Sequence, residues 1–400
     1  MSKLRDLAIL GGEPAFSDSE KLHVGRPNIG DRASLLKRID RLLDTRWLSN
    51  SGPLEKEFEQ RLAEMVGVKH CVVMCNATVA LEIAIRALGL TGEVVVPSFT
   101  FIATAHAARW QQVTPVFCDI DPRTHNIDPA QVERVLTPRT TGIIGVHVWG
   151  RPCDIDGLAE VAGRHDLKLL FDSAHAFGCS YKGRMIGGFG DAEVFSFHAT
   201  KFFNTFEGGA VVTNNDELAN RMRLMKNFGF AGYDEVVSIG INGKMAEVAA
   251  AMGLTNLESL DEFIAVNRRN YELYAEGLRG VAGVKLIEYD RGEENNFQYV
   301  VTEVDEAAAG LTRDELMRVL LAENVLARRY FYPGCHRMEP YRSDFPDLHL
   351  PETEGLAARV LSLPTGQTVT PDAVGLICDI IRAALGRAGE IRGLGAPPEV

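Results

Sequence analysis

Between about residue 70 and residue 215, short apolar runs alternate with stretches whose apolar positions recur at helical spacing. That alternation predicts a mostly parallel α/β sheet, because parallel strands need a crossover between them and a helix is the usual one. Strands are expected at Cys71–Cys75, Val94–Pro97, Pro115–Asp119, Gly142–His147, Lys168–Phe171, Glu193–Phe197 and Ala210–Thr213. Ligands gather at the carboxyl ends of such strands. Polar groups cluster there: Asn76-Ala77-Thr78, Thr100-Phe101, Asp119, His147, Asp172 through His175, and Ser196 through Lys201.

Outside this region the pattern differs. A helix is predicted at Arg32–Asp44, followed by a turn in Trp47–Pro53 marked by Gly and Pro. After Gly253 comes a long helical stretch, then scattered strands such as Gln298–Thr302 and helices such as Arg313–Glu323. A chain of 400 residues exceeds one ordinary core. We therefore expect a large domain over 1–255, including the N-terminal segment, and a small C-terminal domain over 256–400. The tail Gly393–Val400 reads as frayed.

Composition narrows the function. With 46% hydrophobic and 24% charged residues the chain reads as soluble and globular. A net charge of −12 argues against nucleic-acid or anionic-membrane surfaces but leaves anionic small substrates open. The apolar run at the N-terminus is too short for a secretory signal, and no segment has the ~18 apolar residues of a membrane span. Seven scattered cysteines suit reduced thiols. Cys71 and Cys75 flank an apolar Val-Val-Met and no second ligand pair follows, so no zinc site is expected. A cytoplasmic enzyme fits these bounds.

The chemistry lies in four features. Asn76-Ala77-Thr78 joins a strand to an amphipathic helix; it reads as an ordinary cap, or as a phosphate cup of free amides. Asp172 ends a buried strand, where it either caps a turn or keeps a pyridine nitrogen protonated. His175 lies three residues on, where an imidazole could donate toward a ring oxygen, and Phe101 is either core or the cover of a ring face. Lys201 closes an apolar strand, where a surface charge is the commoner reading and a Schiff-base anchor the sharper one. Taken together they describe a pocket for pyridoxal 5′-phosphate (PLP).

The ordered series Trp47-Leu-Ser-Asn50-Ser-Gly-Pro, Pro97-Ser-Phe-Thr-Phe-Ile-Ala-Thr, Asp172-Ser-Ala-His-Ala, Ser196-Phe-His-Ala-Thr-Lys, Glu207-Gly-Gly-Ala, Gly240-Ile-Asn-Gly-Lys-Met-Ala-Glu and Leu363-Pro resembles the DegT/StrS-type family of PLP-dependent nucleotide-sugar aminotransferases. That resemblance implies the aspartate-aminotransferase-like fold type I and a homodimer with active sites at the interface. It implies Lys201 as the covalent anchor, Asp172 at the pyridine nitrogen and His175 near the phenolic oxygen. Ala77, Thr78 and Ser196 take the phosphate, with Asn242 supplied by the partner subunit. Asn50 and, in one segment, Arg329, Tyr330, Tyr332 and His336 fall where the sugar nucleotide is bound. Asn227-Phe-Gly departs from the family's usual Asn-His-Gly.

The implied reaction passes an amino group from L-glutamate to a keto sugar nucleotide, with release of 2-oxoglutarate and pyridoxamine 5′-phosphate as the carrier form. Within the family the motifs look most like the 4-aminotransferases of desosamine-type pathways acting on dTDP-4-keto-6-deoxy-D-glucose. Amination at C3 and UDP- or GDP-linked sugars stay open. The family's 3-dehydratases carry histidine at the Lys201 position, which sets this chain apart from them. A non-catalytic regulator would need no proton-carrying lysine, and a lyase of the same fold would consume no amino donor.

Overall fold

The computed structural model describes residues 6–395. A seven-stranded sheet is built from β1 (His70–Met74), β2 (Glu93–Pro97), β3 (Thr114–Cys118), β4 (Thr140–Val146), β5 (Lys168–Asp172), β6 (Ala192–Ser196) and β7 (Gly209–Thr213). All seven predicted strands are present, their ends displaced by no more than two residues. The spatial order is β1-β7-β6-β5-β4-β2-β3, parallel except for β7, which runs antiparallel to both β1 and β6. The helices are α1 (Arg32–Thr45), α2 (Pro53–Val66), α3 (Ala77–Ala87), α4 (Ala103–Trp110), α5 (Pro129–Val135), α6 (Ile155–Arg164), α7 (Asp216–Met225) and α8 (Glu247–Leu257).

The strands read as continuous apolar runs because both sheet faces are covered. Alternate residues go to opposite layers. Cys71, Val73, Phe195 and Val212 join Phe58 and Leu62 of α2, Leu158 of α6 and Leu254 of α8. Val72, Met74, Val194 and Val211 join Leu81 and Ile85 of α3, Ala105 of α4 and Met222 of α7.

From α9 (Leu260–Gly277) the chain enters the small domain, whose antiparallel sheet is β8 (Val284–Leu286), β9 (Val300–Val304) and β10 (Val360–Leu363) in that order. Two expectations need correction. The long helical stretch expected after Gly253 is α9, whereas α8, which begins before that residue with nine of its eleven residues buried, carries no amphipathic signal. The N-terminal segment belongs with the small domain: Leu7 and Leu22 sit in its core, and Leu22–His23 pairs in parallel with Val325–Leu326. Strand β9 also starts two residues later than expected, since Gln298 and Tyr299 turn toward the large domain. The expected frayed end and the start of the N-terminal apolar run fall partly outside the described residues. Among the described residues no helix is long and apolar enough to cross a membrane.

A buried ionic knot explains two of the motifs. Lys226, after α7, donates to Glu55 at 2.7 Å, Glu59 at 3.1 Å and the Val73 carbonyl at 3.0 Å. Burial alone would lower its ammonium, but Glu59 and Glu55 outweigh it and hold it above the usual range. Glu247, fully buried at the start of α8, accepts from Leu54 N and Glu55 N at 2.9 Å each. It thereby caps α2, whose own cap Gly52 has no side chain to do so. A Cβ at Gly52 would lie 2.5 Å from that carboxyl carbon, so the glycine is required for close approach.

Removing the cation alone strands two carboxylates in the interior. Lys226→Met is expected to cost about 3 kcal/mol, read as a lower denaturant midpoint. The triple variant Lys226→Met/Glu55→Gln/Glu59→Gln should recover part of that loss.

Candidate cofactor and active site

The carboxyl ends of the parallel strands open into a cavity of about 550 Å³. Its lining includes Asn76, Ala77, Thr78, Phe101, Asp172, His175, Ser196 and Lys201, eight of the positions expected from sequence. The cup forms at the start of α3. Asn76 Oδ1 accepts from Val79 N at 2.9 Å, so Asn76 is indeed a cap, and it leaves the amides of Ala77 and Thr78 free of it. Strand β7 passes so close that a Cβ on Gly209 would lie 2.6 Å from Ala77 N. That close approach is why Glu207-Gly-Gly recurs in the motif. Ser196, at the end of β6, adds a hydroxyl to the same cavity. Free amides at a helix start suit a phosphate.

Asp172 ends β5 and is buried, with Oδ2 accepting from the Thr104 hydroxyl at 2.8 Å and Oδ1 from Ala174 N at 3.2 Å. Burial raises its carboxyl above the usual range; the Thr104 and Ala174 hydrogen bonds and the Lys201 charge oppose that rise. His175 accepts from Trp149 N at 3.2 Å through Nδ1, which places its proton on Nε2. Burial, with the Lys201 charge, pushes it well below 6.5, so it is a neutral N–H donor. Its ring stacks on Phe331 at 5.6 Å with planes 3° apart. Phe101 is 58% exposed whereas Phe99 is fully buried, so Phe99 is the core residue of that motif and Phe101 is left for a ligand.

Lys201 sits on a loop held by amide side chains. Asn28 Nδ2 donates to the Phe202 carbonyl at 3.0 Å, Gln298 accepts from Phe202 N at 3.0 Å, and Asn256 Nδ2 donates to the Asn204 carbonyl at 2.8 Å. Burial brings the Lys201 amine down to about 8, against the opposing pull of Asp172. A lysine shifted this far exchanges protons near neutrality, which a surface lysine does not. Acid, amide cup, neutral imidazole and reactive amine match the donor set that PLP requires.

The other expected residues lie elsewhere. Asn50 and Asn242 are exposed and do not line this cavity. Arg329 pairs with Asp314 at 3.2 Å and stacks 4.6 Å over Tyr332, whose ring also meets Arg313 at 5.1 Å. Of the expected segment Tyr330 does line the cavity, together with Phe331. His336 is buried, with Nδ1 2.6 Å from the Ser98 hydroxyl and Nε2 2.9 Å from Glu354. One nitrogen ties the 330s loop to the end of β2 and the other to the helix Pro351–Arg359, so within one subunit both are engaged by protein groups. Asp119 caps the helix Pro351–Arg359 through Thr353 N at 2.8 Å. His147 is fully buried and accepts from Cys153 N at 3.0 Å.

Sequence reasoning missed Thr104, Tyr299 and Phe331. Thr104 had a signal: it lies one helical turn beyond Thr100, and the two hydroxyls are 3.0 Å apart. Tyr299 and Phe331 arrive from the small domain and had none.

The model of the DegT/DnrJ/EryC1/StrS aminotransferase family matches residues 30–382. The chain is 36% identical over 361 residues to dTDP-4-amino-4,6-dideoxy-D-glucose transaminase of Shigella dysenteriae, covering 90% of this chain and 98% of that protein. It is 35% identical over 362 residues to GDP-perosamine synthase of Caulobacter vibrioides, covering 89% and 96%. Among solved structures, DesI, determined in the presence of its TDP-sugar product, aligns with a TM-score of 0.93 at 53% identity over 97% of this chain and 98% of that one. The chain therefore belongs to the DegT/DnrJ/EryC1/StrS aminotransferase family, and it is a PLP-dependent aminotransferase of sugar nucleotides.

Proposed function

We propose that the substrate is dTDP-4-keto-6-deoxy-D-glucose, aminated at C4 with L-glutamate as donor. The observation that carries this reading is the joint likeness to the Shigella transaminase, named for dTDP-4-amino-4,6-dideoxy-D-glucose, and to DesI, solved with its TDP-sugar product. GDP-perosamine synthase, at 35% identity, makes GDP-linked sugars the second reading.

Bound PLP supplies an electron sink and the carbon that carries the amino group between donor and sugar. The chain's own residues do the rest. Asp172, anchored by Thr104 and Ala174, holds a proton at the ring nitrogen. His175 offers Nε2–H toward the ring oxygen. Ala77, Thr78 and Ser196 hold the phosphate. Lys201, with its amine near 8, takes the proton from the donor's Cα as a free base and returns it to the carbon on the far side of the amino nitrogen, then runs the same transfer in reverse for the sugar.

The working unit is a homodimer in this reading. Trp47, Leu48, Phe228, Ile239 and Ile241 are between 43% and 73% exposed, more apolar surface than a monomer ordinarily shows in linked segments. Those segments are joined by Glu247 N donating to the Leu48 carbonyl at 3.0 Å, and Asn227 bridges Asn242 at their base. Asn50 and Asn242 then serve the neighbouring active site, Asn242 at its phosphate. Arg329 and Tyr332 remain available at the surface for the nucleotide. The seven free cysteines accord with a reducing cytoplasm.

Incubation with PLP, glutamate and dTDP-, UDP- and GDP-linked keto sugars, followed by NMR location of the new C–N bond, tests the assignment; amination only of a GDP-sugar, or only at C3, overturns it. Lys201→Ala should lower the rate of the glutamate half-reaction by about 10²–10⁴-fold in single-turnover absorbance traces. In the unaltered protein that rate should rise with pH through about 8, because only the uncharged amine accepts the proton. Thr104→Val should weaken PLP binding about tenfold in a spectrophotometric titration of the cofactor-free protein, since it removes a hydrogen bond to a buried carboxylate.

A further inference from the structure

Tyr299 stands in none of the motifs that mark the site, yet its hydroxyl is the side-chain partner of the reacting nitrogen. Lys201 Nζ donates to Tyr299 Oη at 3.5 Å, and among the described residues Nζ has no other hydrogen-bond partner. The tyrosine is held from several sides. Its ring lies 4.7 Å from that of His175 and 6.2 Å from that of Tyr330. Its carbonyl receives the Tyr289 hydroxyl at 2.8 Å, and the preceding Gln298 is tied to the Lys201 loop through Phe202 N. Asn296 fixes the same segment to the carbonyls of His175 and Phe177, at 2.8 and 2.9 Å. Burial pushes the Tyr299 phenol well above its ordinary range, so it stays protonated and neutral while the lysine titrates.

We propose that Tyr299 is a further catalytic residue: its phenolic oxygen accepts one N–H of the Lys201 amine and aims the nitrogen lone pair while the amine carries the migrating proton. This rests on Lys201 being the proton carrier. In the transfer, the Cα–H electron pair stays with carbon and Nζ passes from NH₂ to NH₃⁺. The same proton then leaves Nζ, while Tyr299 neither gains nor loses one. An amine released at the end of a four-carbon chain has many orientations, and one fixed acceptor removes most of them. An acceptor at this distance favours the charged form, so its removal should let the lysine's midpoint fall further.

The test begins on the cofactor-free, full-length protein. The ionisable groups around Nζ are Asp172, His175 and Tyr330 in the cavity, with His198 and Glu207 also in its lining, and Tyr299→Phe leaves all of them in place. Acetylation of Lys201 by acetic anhydride, followed by peptide mass spectrometry across pH, should give a midpoint near 8 for the unaltered protein. The midpoint should fall by about 0.5–1 pH unit in Tyr299→Phe. In the loaded enzyme, the same variant should slow the glutamate half-reaction about tenfold and raise the α-deuterium isotope effect, with KM for glutamate unchanged. Fluorotyrosine at 299 keeps the packing and weakens the acceptor, and should move the midpoint in the same direction by less. An unchanged midpoint and isotope effect in Tyr299→Phe overturns the proposal, as does an unchanged midpoint with fluorotyrosine should the Phe variant not fold. Failure of Lys201 in the unaltered protein to form a covalent adduct with PLP overturns the lysine assignment and this proposal with it.

Discussion

Burying an amine and a carboxylate in one cavity without letting them neutralise each other is the constraint around which the rest is arranged. Left to themselves, two opposite charges in a low-dielectric space collapse into an ion pair. Here each is engaged elsewhere. The Asp172 oxygens are taken by Thr104 and Ala174, and the Lys201 nitrogen by Tyr299. Attraction between the two persists through space, which is why the lysine settles near 8 rather than lower. Each group thus stays available to a ligand instead of to the other.

Holding that arrangement takes support from distant parts of the chain. The lysine loop has no regular structure of its own, so its carbonyls and amides are satisfied by Asn28, Asn256 and Gln298, drawn from three separate segments. Asparagine and glutamine suit this task because each offers a donor and an acceptor without a charge that would disturb the amine. The Lys226 knot does a comparable job beneath the phosphate cup, tying the end of β1 to α2 and to the base of the Asn227–Asn242 loop. Glycines complete the fit where backbone meets backbone: Gly209 against the start of α3, and Gly52 against the Glu247 carboxylate.

What the sequence made legible follows from this division of labour. The sheet was legible because strands buried on both faces are uniformly apolar and end abruptly in polar residues. The cofactor groups were legible for the same reason, since each sits at a strand end or within five residues past it. The helix α8 was not, because burial of nearly all its residues erases periodicity. Arg329, Tyr332 and His336 shared a polar, aromatic segment with Tyr330 and Phe331, and nothing local says which of them faces the cavity. Only the placement of the 330s loop by the Ser98–His336–Glu354 hydrogen bonds settles that. Tyr299 was illegible for a different reason: its role depends on a contact between domains, and no spacing along the chain encodes it.

The path of the N-terminal segment has a mechanical consequence. Leu7 and Leu22 are embedded in the small domain while α1 packs on α8 of the large one, so residues 24–31 cross between the two, as do residues 258–260 and the segments on either side of Cys335–Leu350. Asn28 lies on the first of these crossings, bonded to the Phe202 carbonyl on one side and to Gln367 N on the other. The peptide bond next to Lys201 is thereby fixed from the N-terminal segment and from the turn at Gln367 at once, so the lysine loop cannot shift without disturbing both.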